Sequence, residues 1–165
     1  MKSLLQCRRE GKYWEDCEYT IKALSRLDLT RTEMTEKEFE DRVARFLGEQ
    51  LFPGGEKFID HRKYHDAASA TAFFSSDHRP DMSIGKDGTA IEVKAADHGN
   101  KVKQAISQAL FYRIGYRFVI VLLVDITDQG DIYASLREHG NTREVRFVDD
   151  LEEYMNIFVI PRLGW

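Results

Sequence analysis

Apolar positions along this chain follow two periods. Within residues 12–27, Trp14, Cys17, Ile21 and Leu24 recur at helical spacing and predict an amphipathic helix. Cys17 sits in that stripe, which reads as a small buried residue rather than a reactive thiol. Residues 28–34 are polar and read as a connection. Thr35-Glu36-Lys37-Glu38 fits a capping box, with Thr35 as N-cap and Glu38 three residues on. Phe39, Val43, Phe46 and Leu47 continue that second helix as a buried stripe. Gly48 weakens its end, and Pro53-Gly54-Gly55 stops it. Residues 56–79 carry only short apolar runs, Phe58-Ile59 and Ala72-Phe73-Phe74, either of which suits a strand. His61 and His65 stand four apart, as helical metal ligands do. No third ligand has telling spacing, and solvated histidines are the simpler reading.

The period then shortens. Ile84 and the run Thr89 to Val93 are strand-like, with the turn signal Gly85-Lys86-Asp87-Gly88 between them. After a loop over 95–100, a helix is expected from about Lys101 to Gly115. Its buried face would be Val102, Ala105, Ile106, Ala109 and Leu110, with Gln104 and Gln108 on its flank. Phe118 to Val124 is a continuous apolar, mostly β-branched run, the mark of a strand covered on both faces. Strand, helix and strand make a βαβ unit. Ile132, Ala134 and Leu136 alternate, as do Val145 and Phe147, and predict a second hairpin about His139-Gly140-Asn141. Asp149 to Met155 reads as one or two helical turns, and Ile157 to Ile160 as a last strand ended by Pro161.

Composition narrows the class. The 165 residues are 42% hydrophobic and 32% charged, which suits one folded domain over 1–165. The core would span about 35–125, with helix 12–27 and strands over 131–160 as additions. No apolar run approaches a membrane span, so no membrane partner is expected. The N-terminus lacks an apolar segment of the signal-peptide kind. Cys7 and Cys17 are the only cysteines and form no CxxC motif, so a reducing, cytoplasmic setting is expected. The formal charge of −4 counts mildly against bulk nucleic-acid binding. Locally, 94–117 carries Lys94, Lys101, Lys103, Arg113 and Arg117 against Asp97 alone, a basic surface for a phosphate backbone.

The chemistry concentrates in Arg79 to Lys94. If Lys86 and Asp87 form a two-residue loop, Ile84 pairs with Thr89 and Asp81 lies opposite Glu92. If the loop is Asp87-Gly88, Asp81 faces Lys94 and still shares a face with Glu92. Two carboxylates that close repel unless something offsets them, and a hard divalent cation does so. The Val93 carbonyl is available as a further ligand, and Lys94 would stand near a metal-bound water or a phosphate charge. His78 and Arg79, just before Pro80-Asp81, read either as phosphate contacts or, more simply, as a charged turn.

Pro80-Asp81 followed by Glu92-Val93-Lys94 resembles the signature of the PD-(D/E)xK nuclease superfamily, the restriction-endonuclease-like fold. Holliday-junction resolvases and Mrr-type enzymes belong to it. Phe39-Glu40-Asp41-Arg42-Val43 resembles the acidic helix that precedes the hairpin in many members. Glu36 and Glu40 both fall within or beside the apolar stripe, and the resemblance selects Glu40 as the additional acid, with Glu36 second. Gln108-Ala109-Leu110-Phe111-Tyr112 resembles the Q-x-x-x-Y motif of the RecB-like subset. The resemblance covers roughly 35–125. It implies an α/β fold with a central mixed β-sheet flanked by helices, and Mg²⁺ or Mn²⁺ as cofactor. Asp81, Glu92, the Val93 carbonyl and Glu40 would hold the metal. Lys94 would orient or activate water, and Gln108 would position substrate or Lys94. Arg79, Lys101, Lys103 and Tyr112 would contact DNA. The implied activity is a DNA endonuclease. One site in so small a domain would need a homodimer to cut both strands, with helix 12–27 as a candidate surface. The alternatives are a catalytically inactive nucleic-acid-binding or scaffold protein of the same fold, and an interaction module in which the hairpin is plain structure.

Overall fold

The computed structural model describes residues 7–30, 34–63, 71–137 and 142–165. Its centre is strand β5, Thr89–Ala96, which meets β4 (Met82–Ile84) antiparallel on one side and β6 (Phe118–Asp125) parallel on the other. β1 (Phe58–Asp60) adds to β4 antiparallel, and β7 (Ile157–Leu163) adds to β6 parallel, giving a five-stranded mixed sheet in the order β1-β4-β5-β6-β7. β2 (Thr71–Phe73) and β3 (Ser76–His78) form a separate two-stranded sheet. Together with the helices this is an α/β architecture.

Both faces of the central sheet are covered, in keeping with the unbroken apolar run of β6 from Phe118 to Val124. Helix α1 (Gly11–Leu24) and helix α2 (Glu36–Arg45), with a π-helical continuation at Phe46–Leu51, pack on one face. There Ile91, Val93, Ile120 and Leu122 meet Cys17, Leu24, Phe39 and Val43. Burial pushes the Cys17 thiol up to about 12, as befits a core residue. On the other face Ala90, Val119, Val121 and Leu123 meet Ala105, Ala109 and Tyr112 of helix α3, Gly99–Gly115. α3 joins two parallel neighbours, so strand, helix and strand form the expected βαβ unit. α2 begins as anticipated: Thr35 N donates to Glu38 Oε2 at 2.7 Å, and the Thr35 side chain accepts from the Glu38 amide.

Several expectations are corrected. The anticipated strands over 131–147 are helices, α4 (Asp131–Arg137) and α5 (Arg143–Met155). The expected turn at His139-Gly140-Asn141 lies outside the described residues. Alternating Ile132, Ala134 and Leu136 also contains an i, i+4 pair, and buried Asp125 settles the matter. Its carboxylate accepts from Thr127 N at 2.8 Å and from Tyr133 N at 2.7 Å, taking an amide that a helix start leaves unpaired. Thr142 caps α5 by accepting from Val145 N. β7 runs past Pro161, which an edge strand tolerates because its outer side carries no ladder. β5 includes Ala95 and Ala96, assigned above to a loop. Leu110 is 41% exposed; fully buried Arg113 lies on the sheet side of α3 instead, its guanidinium on the Met155 and Tyr116 carbonyls. His61 is buried rather than solvated, with Nε2 2.8 Å from Ser83 Oγ, while His65 lies outside the described residues.

The hairpin turn tolerates little change. Gly85 has φ +76°, and a Cβ on Gly88 would stand 2.4 Å from the Ile84 carbonyl oxygen. Gly88→Ala is expected to lower stability by about 1–3 kcal/mol in urea denaturation, because backbone must shift. Gly99→Ala, with nothing within 4 Å of the new Cβ, should stay within about 0.5 kcal/mol of wild type or exceed it.

Candidate functional site

Ile84 pairs with Thr89, Ser83 with Ala90 and Met82 with Ile91. The next step outward sets Asp81 against Glu92, the register of a two-residue loop. Glu92 and Lys94 lie on the α3 side of β5, and Ile91 and Val93 on the α2 side. The hairpin therefore carries its two carboxylates on a shared face, which the plain-structure reading did not require.

Asp81 Oδ2 accepts from Val93 N at 2.8 Å. Glu92 is 5% exposed, and its Oε2 lies 3.0 Å from Tyr112 Oη. The same hydroxyl lies 2.8 Å from the Arg79 carbonyl oxygen. The one phenolic hydrogen is shared between these two acceptors, and its donation to Glu92 pulls that carboxyl's pKa down, against the larger effect of burial. Tyr112 is thus buried against the site, where the sequence suggested contact with DNA.

The acidic helix contributes differently from expectation. Glu36, in the first turn of α2, accepts from Lys94 Nζ at 2.9 Å and from Ala95 N at 3.1 Å. Glu40, selected above as a metal ligand, accepts from Arg62 Nη1 at 3.1 Å. Arg62 also holds Asp60 and Asp41. Glu40 is nevertheless close enough to raise the proton affinity of Asp81. Arg62 carries no motif and follows a three-residue strand, so no signal in the sequence marked it. Gln108 Oε1, one turn before Tyr112, is buried and lacks a hydrogen-bond partner among the described residues. Of the expected basic surface, Arg113 is buried, and Arg117 is held by Asp87 and lies over the Tyr13 ring. Lys101 and Lys103 keep their place on the first turns of α3.

Burial, followed by like charge, sets the electrostatics. Desolvation pushes both carboxyls up, Asp81 to about 7 with Glu40 adding to it and Glu92 to about 8 with Asp81 adding to it. Burial works to lower the Lys94 pKa, but Glu36, Glu92 and Asp81 outweigh it and raise it. The site thus holds a fixed ammonium beside a carboxyl pair that resists double ionisation.

Among the described residues, no group of three His, Cys, Asp or Glu side chains is arranged to hold a metal by itself. Two carboxylates fit a hard divalent cation only if a backbone carbonyl, waters or a phosphate complete the shell, as is usual for Mg²⁺. Asp81 Oδ1 and Glu92 Oε1 accept no hydrogen bond among the described residues, which leaves one oxygen on each for such a cation.

The carboxyl pair makes stability depend on pH in a defined direction. Unfolded carboxyls titrate near about 4. Because the folded pair keeps its protons to higher pH, its contribution is intact below about 4 and is lost as pH rises through the folded values. Asp81→Asn keeps an acceptor for Val93 N and removes one charge. It should match wild type in thermal unfolding at pH 4 and exceed it at pH 8.5. Equal melting temperatures at pH 8.5 would disprove strain between the carboxylates.

No family model, curated protein or solved structure matches the chain, so the functional reading rests on this constellation of residues.

Proposed function

We propose that the protein is a Mg²⁺- or Mn²⁺-dependent nuclease hydrolysing DNA phosphodiesters at Asp81, Glu92 and Lys94, with a restriction-endonuclease-like core. The observation that carries this reading is the pairing of Asp81 against Glu92, both uncomfortable as anions, beside a charged lysine two residues on. The order acidic helix, antiparallel hairpin, helix and parallel strand supports the fold assignment.

Asp81, Glu92 and the Val93 carbonyl would hold the cation. When bound it supplies charge neutralisation at the phosphate and a more acidic water. The raised pKa of Lys94 keeps its proton in place, so Lys94 orients the phosphate or water and offsets developing charge rather than acting as a base. Gln108 Oε1 is an acceptor in need of a donor, suited to a water or the lysine. Tyr112 positions Glu92, and Glu36 positions Lys94. The implied product is a 5′-phosphate. A homodimer would be required to cut both strands of a duplex in one event.

A second reading, an inactive nucleic-acid-binding or scaffold protein, draws on the close engagement of Lys94 by Glu36. Supercoiled plasmid, single-stranded DNA and a four-way junction, each with Mn²⁺, Mg²⁺ or EDTA, separate the two. Wild type should cut at least one substrate only with metal. Asp81→Asn, Glu92→Gln and Lys94→Ala should each lose about 100-fold or more. Mn²⁺ should raise the wild-type melting temperature and leave that of Asp81→Asn unchanged. No cleavage together with no metal-induced stabilisation would remove the nuclease and leave the second reading.

A further inference from the structure

The two-stranded sheet stands immediately before the site. β2 and β3 pair from Thr71 with His78 to Phe73 with Ser76, leaving Phe74 and Ser75 as the turn. Both have positive φ, +49° and +61°, although neither is glycine. Such backbone costs free energy and persists where surrounding contacts impose it. Phe74 is 84% exposed, more than any other large hydrophobic side chain among the described residues. Its position is nevertheless set by rings. Phe73 lies 4.3 Å from Phe74 and 5.4 Å from Phe111 of α3, and His78 stacks on Phe111 at 4.5 Å with planes 18° apart.

This platform reaches the candidate site by two routes. His78 is three residues before Asp81, and Phe111 adjoins Tyr112, which touches Glu92. On α3, Lys101, Gln104, Gln108 and Phe111 follow one flank at spacings of three, four and three. A cation and two amides thus lead to a set of rings with an open outer face. Positive charge here is sparse, with Arg113 buried and Arg117 held by Asp87, in a chain of net charge −4. Duplex affinity depends on many phosphate contacts. Unpaired bases need fewer, because each offers a π-face to an aromatic side chain.

We propose that the β2–β3 hairpin is a base-stacking finger: Phe74 at its tip, backed by the Phe73, Phe111 and His78 rings, holds unpaired nucleobases of a single strand or frayed end beside Asp81 and Glu92. The nuclease reading supplies the fate of the bound strand, but the binding stands apart from it. The selected substrate is single-stranded or branched nucleic acid rather than intact duplex.

Phe74→Trp and Phe74→Ala test this in EDTA, where no cleavage intervenes. Tryptophan emission from Phe74→Trp, measured against wild type with its Trp14 and Trp165, should be quenched saturably by oligo(dT) and not by duplex. Phe74→Ala should bind labelled oligo(dT) at least about fivefold more weakly in fluorescence anisotropy, with its melting temperature unchanged. An oligo(U) arm identifies the sugar; quenching by oligo(U) alone supports the finger and moves the substrate to RNA. No quenching by either strand, with unchanged affinity in Phe74→Ala, overturns the finger, as does equal quenching by duplex. Metal-dependent cleavage without quenching would reject the finger alone, whereas quenching without any cleavage would reject the nuclease and keep the finger.

Discussion

The structure depends on keeping two carboxylates, Asp81 and Glu92, in one poorly solvated place. The hairpin register sets them opposite each other, and the helices on both sides remove the water that would screen them. Each retains one strong local donor, the Val93 amide for Asp81 and the Tyr112 hydroxyl for Glu92. These donors orient the groups without neutralising them. The balance favours a shared proton on the pair, and under the proposed function the same tension that costs stability would favour a divalent cation in its place.

Around that pair the charges are divided between two helices. α2 delivers Glu36 to Lys94 and Glu40 to Arg62, so each acid is matched by a base from elsewhere in the chain. α3 delivers Tyr112 to Glu92 and Phe111 to the hairpin sheet. The two residues are adjacent in sequence, yet one sets the carboxyl and the other supports the aromatic platform. The proposed chemistry and the proposed grip on a strand would therefore share one helix, as a site that positions a substrate to within fractions of an ångström requires.

Much of this was legible beforehand. The hairpin register, the capping box at Thr35, the doubly covered strand β6 and the βαβ connection all arise from short-range rules, and each is found. The C-terminal helices were not legible, because Ile132, Ala134 and Leu136 satisfy a period of two as well as an i, i+4 pair. The deciding group for α4, Asp125, ends the strand just before it and accepts from Thr127 N and Tyr133 N, a bonding pattern that hydrophobic periodicity does not display. Arg113 misled for the opposite reason. A charge on a helix normally marks the solvent side, but here backbone carbonyls surround it.

By itself the sequence determined that Asp81, Glu92 and Lys94 share a face, because strand alternation and a two-residue turn allow little else. That a glutamate of α2 would approach them came from the family resemblance, which selected Glu40 ahead of Glu36. Which glutamate reaches the lysine was decided only by the tertiary structure. Glu36 and Glu40 are one helical turn apart and equivalent in pattern. The packing of α2 against β5, and the presence of Arg62 after β1, assign one to Lys94 and the other to a salt bridge. Local periodicity sets the direction of a side chain. Whether it meets a lysine, an arginine or water depends on residues far away in the chain.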